Sequence, residues 1–480
     1  MHLLEERMEA RMKKKLMILL LAVSLAVQSL PVSATELPGD QEQEVTTDAP
    51  GNLEDLDEIE SDEVTGSEST EVETEVEVDD SEQLVEESGE VTGVFQEGAL
   101  EPDTSEEENF SVQRAVSSKK QAMDYLYEQM KARQENIDVS GYKIPIKEIN
   151  SVLSATLNSH PDLYAVSSGG LRYYHYPSAS FVDSITVKYL DTDDAAFENA
   201  VDEALAEVTP EMTDLEKIVV LHDYLDVHTE YDYENYKNNT LPRVSYTAYG
   251  VLVEKKAVCQ GYMLAYQYLL NKCGITSYYV TSTEMNHAWN IVKLDGMYYH
   301  IDATWDDPVP DTQGMAMHQY LLTSDGALAG HYDWHVYSTE DVDELTVSCS
   351  DTRYDTMFWR EILSPVIAYD GVFLYRNGYQ MMQRTSLPNG EETVWCALPK
   401  EDELASDWWT YRAIANIWND RIYYITGHYV ASCELDGSDQ QIHYHSADSI
   451  YGFYIYGGTA KITYQNKTEE IELENVIDPD

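Results

Sequence analysis

The sequence has few basic residues, few cysteines and few phenylalanines for its length of 480 residues. Thirty Lys and Arg accompany 88 Asp and Glu, so the formal net charge is −58. A chain this acidic lacks the cationic surface that neutralises phosphates, and we expect no nucleic-acid partner. Its five cysteines are too sparse for a disulfide scaffold, and their odd number leaves at least one thiol unpaired within the chain.

Long hydrophobic runs are absent except near the N-terminus. Three lysines at 13–15 precede an apolar run over residues 16–27, and small residues follow at 31–34. This order is typical of a secretory signal peptide, and the run is short for a bilayer span. We expect cleavage of residues 1–34 and a secreted protein that no longer contacts the membrane. An uncleaved anchor is the alternative, and association with the cell surface stays open.

An acidic segment follows the signal peptide. Residues 35–110 hold 29 of the 88 acidic residues and no Lys or Arg. Like charges repel one another and oppose compaction. The segment also has too few apolar side chains for their burial to offset the entropy lost on ordering. We therefore predict a disordered acidic linker over residues 35–115. A solvated spacer is the favoured interpretation, and a cation-binding tail is the alternative.

Helical periodicity dominates the next part of the chain. Apolar spacing predicts four helices between about residues 118 and 228, the last of them opening with a capping box at Thr213 and Glu216. Alternating residues predict strands near 171–176 and 184–189. We therefore predict an α+β domain over residues 116–345.

The pattern of apolar residues changes after about residue 350. Short apolar runs there end at turns that contain glycine, as at 377–378 and 457–458, and they predict β-hairpins. Two of these hairpins have similar lead-in sequences, but their spacing is irregular. We predict an antiparallel, all-β accessory domain over residues 355–480, with hairpins that look like propeller blades.

Cys259 lies where an apolar helix is predicted to begin. The segment 257–262 opens an apolar run that ends near Cys273. Unpaired amide groups at a helix N-terminus favour a thiolate, so Cys259 is the candidate nucleophile. Cys273 lies near the other end of the helix, and we interpret it as a packing residue.

A predicted hairpin brings a base close to an acid. Two alternating segments, the second over 298–305, flank the two-residue turn Asp295-Gly296. The register set by this turn puts His287 and Asp302 on the same sheet face as diagonal neighbours. Their Cβ atoms are then about 7–8 Å apart, within reach of an imidazole–carboxylate hydrogen bond.

Cys259, His287 and Asp302 therefore form a predicted Cys–His–Asp triad. His287 takes the thiol proton, and Asp302 orients the ring and stabilises its charge. The backbone N–H of Cys259 is the natural oxyanion donor. The second donor stays open between Tyr246 and Tyr249.

Other histidines are further candidates for a functional role. His300 shares the predicted face of Asp302 and is a rival base, although its mid-strand position suits packing. His222 and His228 are predicted on a helix, and His318 and His331 in loops. No two histidines have metal-ligand spacing with a third ligand nearby, so we expect neither a metal nor a cofactor.

The segment 119–325 resembles the transglutaminase-like superfamily, above all its exported bacterial members. Three motifs in this order carry the resemblance: VCQGY at 258–262, HAWN at 287–290 and DATWDDP at 302–308. The resemblance implies a papain-like α+β core with a helical lead-in and a nucleophile helix packed on an antiparallel sheet. It also implies Cys259, His287 and Asp302 as the catalytic residues, and it does not extend beyond residue 350.

Together these observations predict a secreted, cysteine-dependent acyl-transfer enzyme that acts on peptide or protein amides. Water or an amine releases the acyl group, and we favour hydrolysis because an open site admits water. The alternative is a catalytically inert scaffold of the same fold. Its Tyr-rich C-terminal domain would then bind a cell-wall polymer or a host protein.

Overall fold

The computed structural model describes residues 85–87, 106–176, 179–307, 309, 311, 314–339, 343–377, 380–385, 391–397, 415–426, 428–450, 452–456, 459–464 and 467–473. The predicted signal peptide and most of the predicted linker lie outside these residues. Of the helices in the described part of the chain, none combines the length and the apolar character that crossing a lipid bilayer requires.

Helices are concentrated before residue 310 and strands after it. The helices are α1 (Glu106–Lys131), α2 (Ile149–Ser159), α3 (Asp194–Ala206), α4 (Asp214–His228), α5 (Tyr233–Lys237), α6 (Ala248–Leu252), α7 (Cys259–Lys272) and α8 (Ala303–Asp306). The first strands are β1 (Val85–Glu87), β2 (Asn136–Asp138), β3 (Arg172–His175), β4 (Ser184–Thr186), β5 (Glu230–Tyr231), β6 (Lys256–Ala257), β7 (Ser277–Ser282), β8 (His287–Leu294), β9 (Met297–Ile301), β10 (His335–Tyr337) and β11 (Glu344–Leu345). The later strands are β12 (Ile367–Tyr369), β13 (Val372–Asn377), β14 (Gln380–Thr385), β15 (Thr393–Ala397), β16 (Ala415–Trp418), β17 (Arg421–Thr426), β18 (Tyr429–Glu434), β19 (Gln441–His445), β20 (Gly452–Tyr456), β21 (Thr459–Thr463) and β22 (Thr468–Glu472).

A five-stranded antiparallel sheet with helices packed on it forms the centre of the domain. Its strand order is β11-β10-β7-β8-β9. Helix α7 packs on β7 and β8, and it also contacts α4 and α6. Leu264 and Leu269 of α7 share one buried core with Val292 of β8. Burial of these apolar faces fixes the helix against the sheet.

Local sequence signals set the limits of the central helices. Helix α4 begins at the predicted capping box, in which the Thr213 hydroxyl accepts from the Glu216 N–H and the Glu216 carboxylate accepts from the Thr213 N–H at 2.7 Å. Helix α7 ends before Gly274, whose φ of +76° is the left-handed conformation that terminates many helices.

The helical lead-in begins earlier than predicted. Helix α1 starts at Glu106, inside the linker predicted to be disordered over 35–115, and β1 pairs with β3 along the edge of a four-stranded sheet. The acidic composition of residues 35–115 predicted disorder, so neither the start of α1 nor β1 was expected. A short edge strand needs mainly backbone hydrogen bonds, which side-chain composition does not reveal.

Three consecutive antiparallel sheets make up the C-terminal part. Their orders are β12-β13-β14-β15, β16-β17-β18-β19 and β20-β21-β22, and each of the predicted hairpins is present. The predicted boundary between residues 345 and 355 does not separate two cores, however. Tyr354, Trp359 and Phe373 are buried in the same cluster as the residues of α7. The change near residue 350 from helical periodicity to short apolar runs marks a change of secondary structure and not the edge of the core.

Candidate active site

The first residue of α7 is Cys259. The N–H of Val258, the residue before it, donates to the Ser245 carbonyl at 3.0 Å and fixes the entry of the chain into the helix. A Cβ at Gly261 would lie 2.8 Å from the Ser245 oxygen, so only glycine allows this close approach. At the first helical position the Cys259 N–H has no intrahelical partner and is available to an oxyanion.

His287 opens β8 beside this helix. The Asn290 amide of the same strand donates to the Met263 carbonyl of α7 at 3.2 Å and ties the strand to the helix. The Cys259 side chain is a hydrogen-bonding neighbour of the His287 ring. Trp289 and Trp305 stack against that ring at interplanar angles of 25° and 28°, with centroids 5.5 and 5.4 Å away. These contacts hold the imidazole in one orientation next to the thiol.

Asp302 completes the arrangement from a position just beyond β9. One of its oxygens, Oδ2, lies 2.6 Å from His287 Nε2. The other, Oδ1, accepts from the N–H groups of Thr304 and Trp305 as the N-cap of α8. Because Nε2 faces the carboxylate, Nδ1 is the ring nitrogen left for the thiol of Cys259.

The hairpin register is the predicted one, but its second strand is shorter. Leu294 pairs with Met297 and Asn290 with Ile301. The strand predicted over 298–305 ends at Ile301, since residues from Ala303 turn into α8. Asp302 is the N-cap of α8, with φ −124° and ψ 85°, and the helical residues that follow it cannot continue the strand.

Electrostatics favour a charged imidazole beside a charged carboxylate. Burial alone would lower the pKa of His287, but the charge and hydrogen bond of Asp302, together with the bond to Cys259, raise it to about 10. Burial would likewise raise the pKa of Asp302, and the charges and hydrogen bonds of His287 and His331 hold it well below its usual range. The pair therefore exists as an imidazolium–carboxylate ion pair at neutral pH.

The charge of Cys259 influences three tyrosines. Burial and the charge of Cys259 raise the pKa values of Tyr231, Tyr236 and Tyr246, so their hydroxyl groups stay protonated. Of the two candidates for the second oxyanion donor, only Tyr246 is in this group. The hydroxyl of Tyr249 instead accepts from the N–H of Asp193, at the start of α3.

The rival base His300 belongs to a second layer. Its Nδ1 accepts from the indole N–H of Trp289 at 3.0 Å, and its Nε2 lies 3.0 Å from Asp325. Burial lowers the pKa of His300, which keeps the ring neutral. It therefore supports Trp289, one of the two indoles beside His287.

All five cysteines lie in described parts of the chain, and none of them forms a disulfide. Cys259 and Cys273 are half-buried at opposite ends of α7, whereas Cys349, Cys396 and Cys433 are buried. Burial raises the pKa of Cys273. The two accessible thiols thus differ in their surroundings, because only Cys259 lies beside an imidazole.

Histidine–carboxylate clusters exist that the sequence did not indicate. Sequence spacing showed no pair of histidines with a third ligand nearby, but the fold brings such residues together. Among the described residues, possible ligand atoms lie within 4.8 Å of one another in three groups: His222, Asp223 and His318; His287, Asp302 and His331; and His300, Asp325 and Cys349. Loops bring in His318 and His331 from far along the chain, and spacing rules for a single element cannot detect this.

His331 is the residue that sequence reasoning missed at the site itself. Its Nε2 lies 2.8 Å from Asp302 Oδ2, the same oxygen that His287 contacts. It comes from the loop between α8 and β10, a region with no periodic pattern. No signal in the sequence pointed to it.

Comparison with known proteins agrees with this description. Residues 203–303 match the family model of the transglutaminase-like superfamily, which confirms the resemblance and the α+β fold class. Kyphoscoliosis peptidase of Homo sapiens is 26% identical over 129 residues, covering 24% of this chain and 19% of its own. The Mus musculus protein of that name is 26% identical over 114 residues, covering 21% and 17%. The match thus spans less than a fifth of each relative.

Solved structures are similar only over part of the chain. A structure described as a TGase has 16% identity and a TM-score of 0.21, and the match covers 28% of this chain and 45% of that one. The computationally designed Ika4 protein has 6% identity and a TM-score of 0.18, with 29% of this chain and 79% of the other covered.

Proposed function

We propose that the transglutaminase-like domain of this chain is a cysteine-dependent acyl-transfer enzyme acting on peptide or protein amides, with Cys259, His287 and Asp302 as its catalytic residues. One observation carries the proposal: the His287 ring contacts the Cys259 thiol and, through Nε2, a fully buried carboxylate at 2.6 Å. A nucleophile, a base and an orienting acid in series are the minimum for covalent acyl transfer.

The chemistry follows from these contacts. The imidazolium of His287 holds the proton taken from Cys259, and the thiolate attacks the carbonyl carbon of the amide. The Cys259 N–H stabilises the oxygen anion that forms. His287 then gives its proton to the departing amine as the C–N bond breaks, which leaves a thioester on Cys259. Water or a second amine attacks the thioester and restores the thiol.

The partial exposure of the Cys259 thiol lets an acyl group reach the sulfur, and either water or an amine can then accept it. Cys259 is half-buried while His287 and Asp302 are buried, so a substrate approaches the sulfur and not the base. The tyrosine hydroxyl groups near the thiol suit a peptide backbone. We favour hydrolysis over transamidation because the same opening admits water.

Secretion is part of the proposal and rests on the sequence of residues 1–34. A secreted enzyme of this kind would act on extracellular peptides or proteins. N-terminal sequencing of the mature protein from culture medium tests this, with an expected start at residue 35.

Alkylation with iodoacetamide tests the nucleophile directly. We expect Cys259 to react at least about 10-fold faster than Cys273 at pH 7, as measured by peptide mass spectrometry, because only a thiolate attacks. Cys273 is the internal control, since it is also half-buried and lies at the other end of the same helix. The His287→Ala variant should abolish the difference. Equal rates in the unmodified protein would contradict the proposal.

A substrate screen then tests the reaction. Peptide mixtures incubated with the protein should show new carboxyl termini, new isopeptide bonds, or both, and the Cys259→Ala variant should show neither. New termini without isopeptide bonds identify a hydrolase. A fast-reacting Cys259 that acts on no peptide amide would contradict the proposed substrate class, and equal alkylation rates would favour the inert scaffold.

A further inference from the structure

A second imidazole contacts the carboxylate of the proposed triad. Asp302 Oδ2 lies 2.6 Å from His287 Nε2 and 2.8 Å from His331 Nε2. The His331 side chain is fully buried, as is that of Asp302. Asp302 Oδ1 is already occupied as the N-cap of α8. All the hydrogen-bonding capacity of the carboxylate is therefore divided among the helix, the base and His331.

The surroundings hold His331 in place for this contact. Its ring centroid lies 4.2 Å from that of Trp305, 4.8 Å from Trp289 and 5.1 Å from Tyr320. The preceding residue, Gly330, has a φ of +82°, and a Cβ there would lie 2.9 Å from the Trp305 ring. The loop is thus shaped to deliver the imidazole between the two indoles that also flank His287.

His331 lies between two acceptors. Nε2 faces a carboxylate oxygen of Asp302, and Nδ1 lies 3.2 Å from the Ala329 carbonyl oxygen. The hydrogen bond and the charge of His331 add to those of His287 in holding the pKa of Asp302 well below its usual range. Asp302 Oδ2 thus lies between two imidazoles, and its charge is shared between them.

We propose that His331 is a positioning residue of the active site, which fixes the Asp302 carboxylate and limits how much of its charge acts on His287. The inference rests on the proposed function of Cys259. Without the donor at His331, the whole charge of Oδ2 would act on His287, and the site would lose a positive charge. Each change makes proton removal from the Cys259–His287 pair harder.

The substrate-free test is the pH dependence of Cys259 alkylation in two variants. His331→Phe keeps an aromatic ring among the tryptophans but has no donor. His331→Gln restores an N–H group near the position of Nε2. We expect the midpoint of the rate–pH curve to rise by about half a pH unit or more in His331→Phe, and the glutamine variant to recover part of this shift but not all of it.

Five titratable groups contact Asp302 or interact with it electrostatically, so each of them could affect the pH dependence. They are His287, His331, His300, Tyr231 and Tyr320. His300→Gln is the matched control, because it disrupts the bonds to Trp289 and Asp325 and none to Asp302. Its alkylation midpoint should stay at the value of the unmodified protein, even if its melting temperature falls.

The outcomes separate the inference from the proposed function. A fast-reacting Cys259 whose midpoint is the same in His331→Phe, or equally shifted in His300→Gln, would overturn the role of His331 and leave the triad in place. A Cys259 no faster than Cys273 in the unmodified protein would overturn both. If His331→Phe does not fold, the soluble glutamine variant still decides, because loss of a positive charge alone should raise its midpoint.

Discussion

The Tyr262 hydroxyl donates to the carboxylate of Asp307 and joins helix α7 to the turn that follows Asp302. Both side chains are buried. Burial raises the pKa of Asp307 well above its usual value, and the hydrogen bond from Tyr262 opposes this. Through this contact, the position of α7 depends on the same turn that carries Asp302.

Removal of the Tyr262 hydroxyl should destabilise the domain more than removal of the Tyr266 hydroxyl. Tyr262→Phe leaves a buried carboxylate without its donor, and we expect a loss of about 2–3 kcal/mol in the free energy of unfolding. Tyr266→Phe, one turn later on α7, loses only a bond to the Ile218 carbonyl and should cost about 1 kcal/mol. Urea unfolding measures both values, and a larger loss in Tyr266→Phe would contradict the prediction.

The second prediction concerns Gly261, which the backbone carbonyl oxygens of Ser245 and Thr247 approach closely. In Gly261→Ala the new Cβ would meet the Ser245 and Thr247 carbonyl oxygens at 2.8 and 3.1 Å, so the start of α7 has to move. We expect a loss of about 1–3 kcal/mol in stability and slower alkylation of Cys259. Gly141→Ala is the control, because a Cβ at that position would have no atom within 4 Å among the described residues. Equal stability of the two variants would show that the helix tolerates the shift.

The charge of His287 makes a third prediction, for pH dependence. With a pKa of about 10, the ring should titrate by NMR far above neutral pH. Because the folded value of His287 exceeds the unfolded one, its contribution to stability is fully present below about pH 6.5 while Asp302 stays ionised, and it is lost as pH rises through about 10. In Asp302→Asn the pKa of His287 should fall by several units, since burial then dominates.

His300 provides the comparison within the same spectra. Burial lowers its pKa, so its signals should not shift above pH 7 in either protein. A His287 signal that titrates near pH 6.5 in the unmodified protein would contradict the ion pair. A stability difference between the two proteins that persists unchanged above pH 10 would contradict it as well.

Local patterns predicted the parts of the site that lie on regular elements. Turn chemistry at Asp295-Gly296 predicted the register of β8 and β9, because a two-residue turn allows few pairings. The helix that begins at Cys259 and the capping box at Thr213 follow from equally local rules. Backbone periodicity carries this information, and it brings His287 near Asp302 before any tertiary contact is known.

The rest depends on long-range packing, which one sequence does not reveal. His331 reaches Asp302 from 29 positions further along, through a loop shaped by Gly330. Tyr246 and Tyr249 are three residues apart, and only their side-chain directions distinguish them. The end of β9 was missed because the aspartate at 302 is an N-cap as well as an orienting acid, and periodicity does not register caps.

These side-chain directions make the last prediction, for the second oxyanion donor. The charge of Cys259 raises the pKa of the Tyr246 hydroxyl, whereas the hydroxyl of Tyr249 accepts a hydrogen bond at the start of α3. An aldehyde that adds to Cys259 places a tetrahedral oxygen where the oxyanion forms. We expect Tyr246→Phe to bind a panel of N-acetylated amino-acid aldehydes at least about 10-fold more weakly, with iodoacetamide alkylation unchanged, because alkylation forms no oxyanion. Tyr249→Phe should keep the aldehyde affinity and lose about 1 kcal/mol of stability. Calorimetric titration of both variants decides, and equal affinities would assign the donor to another group.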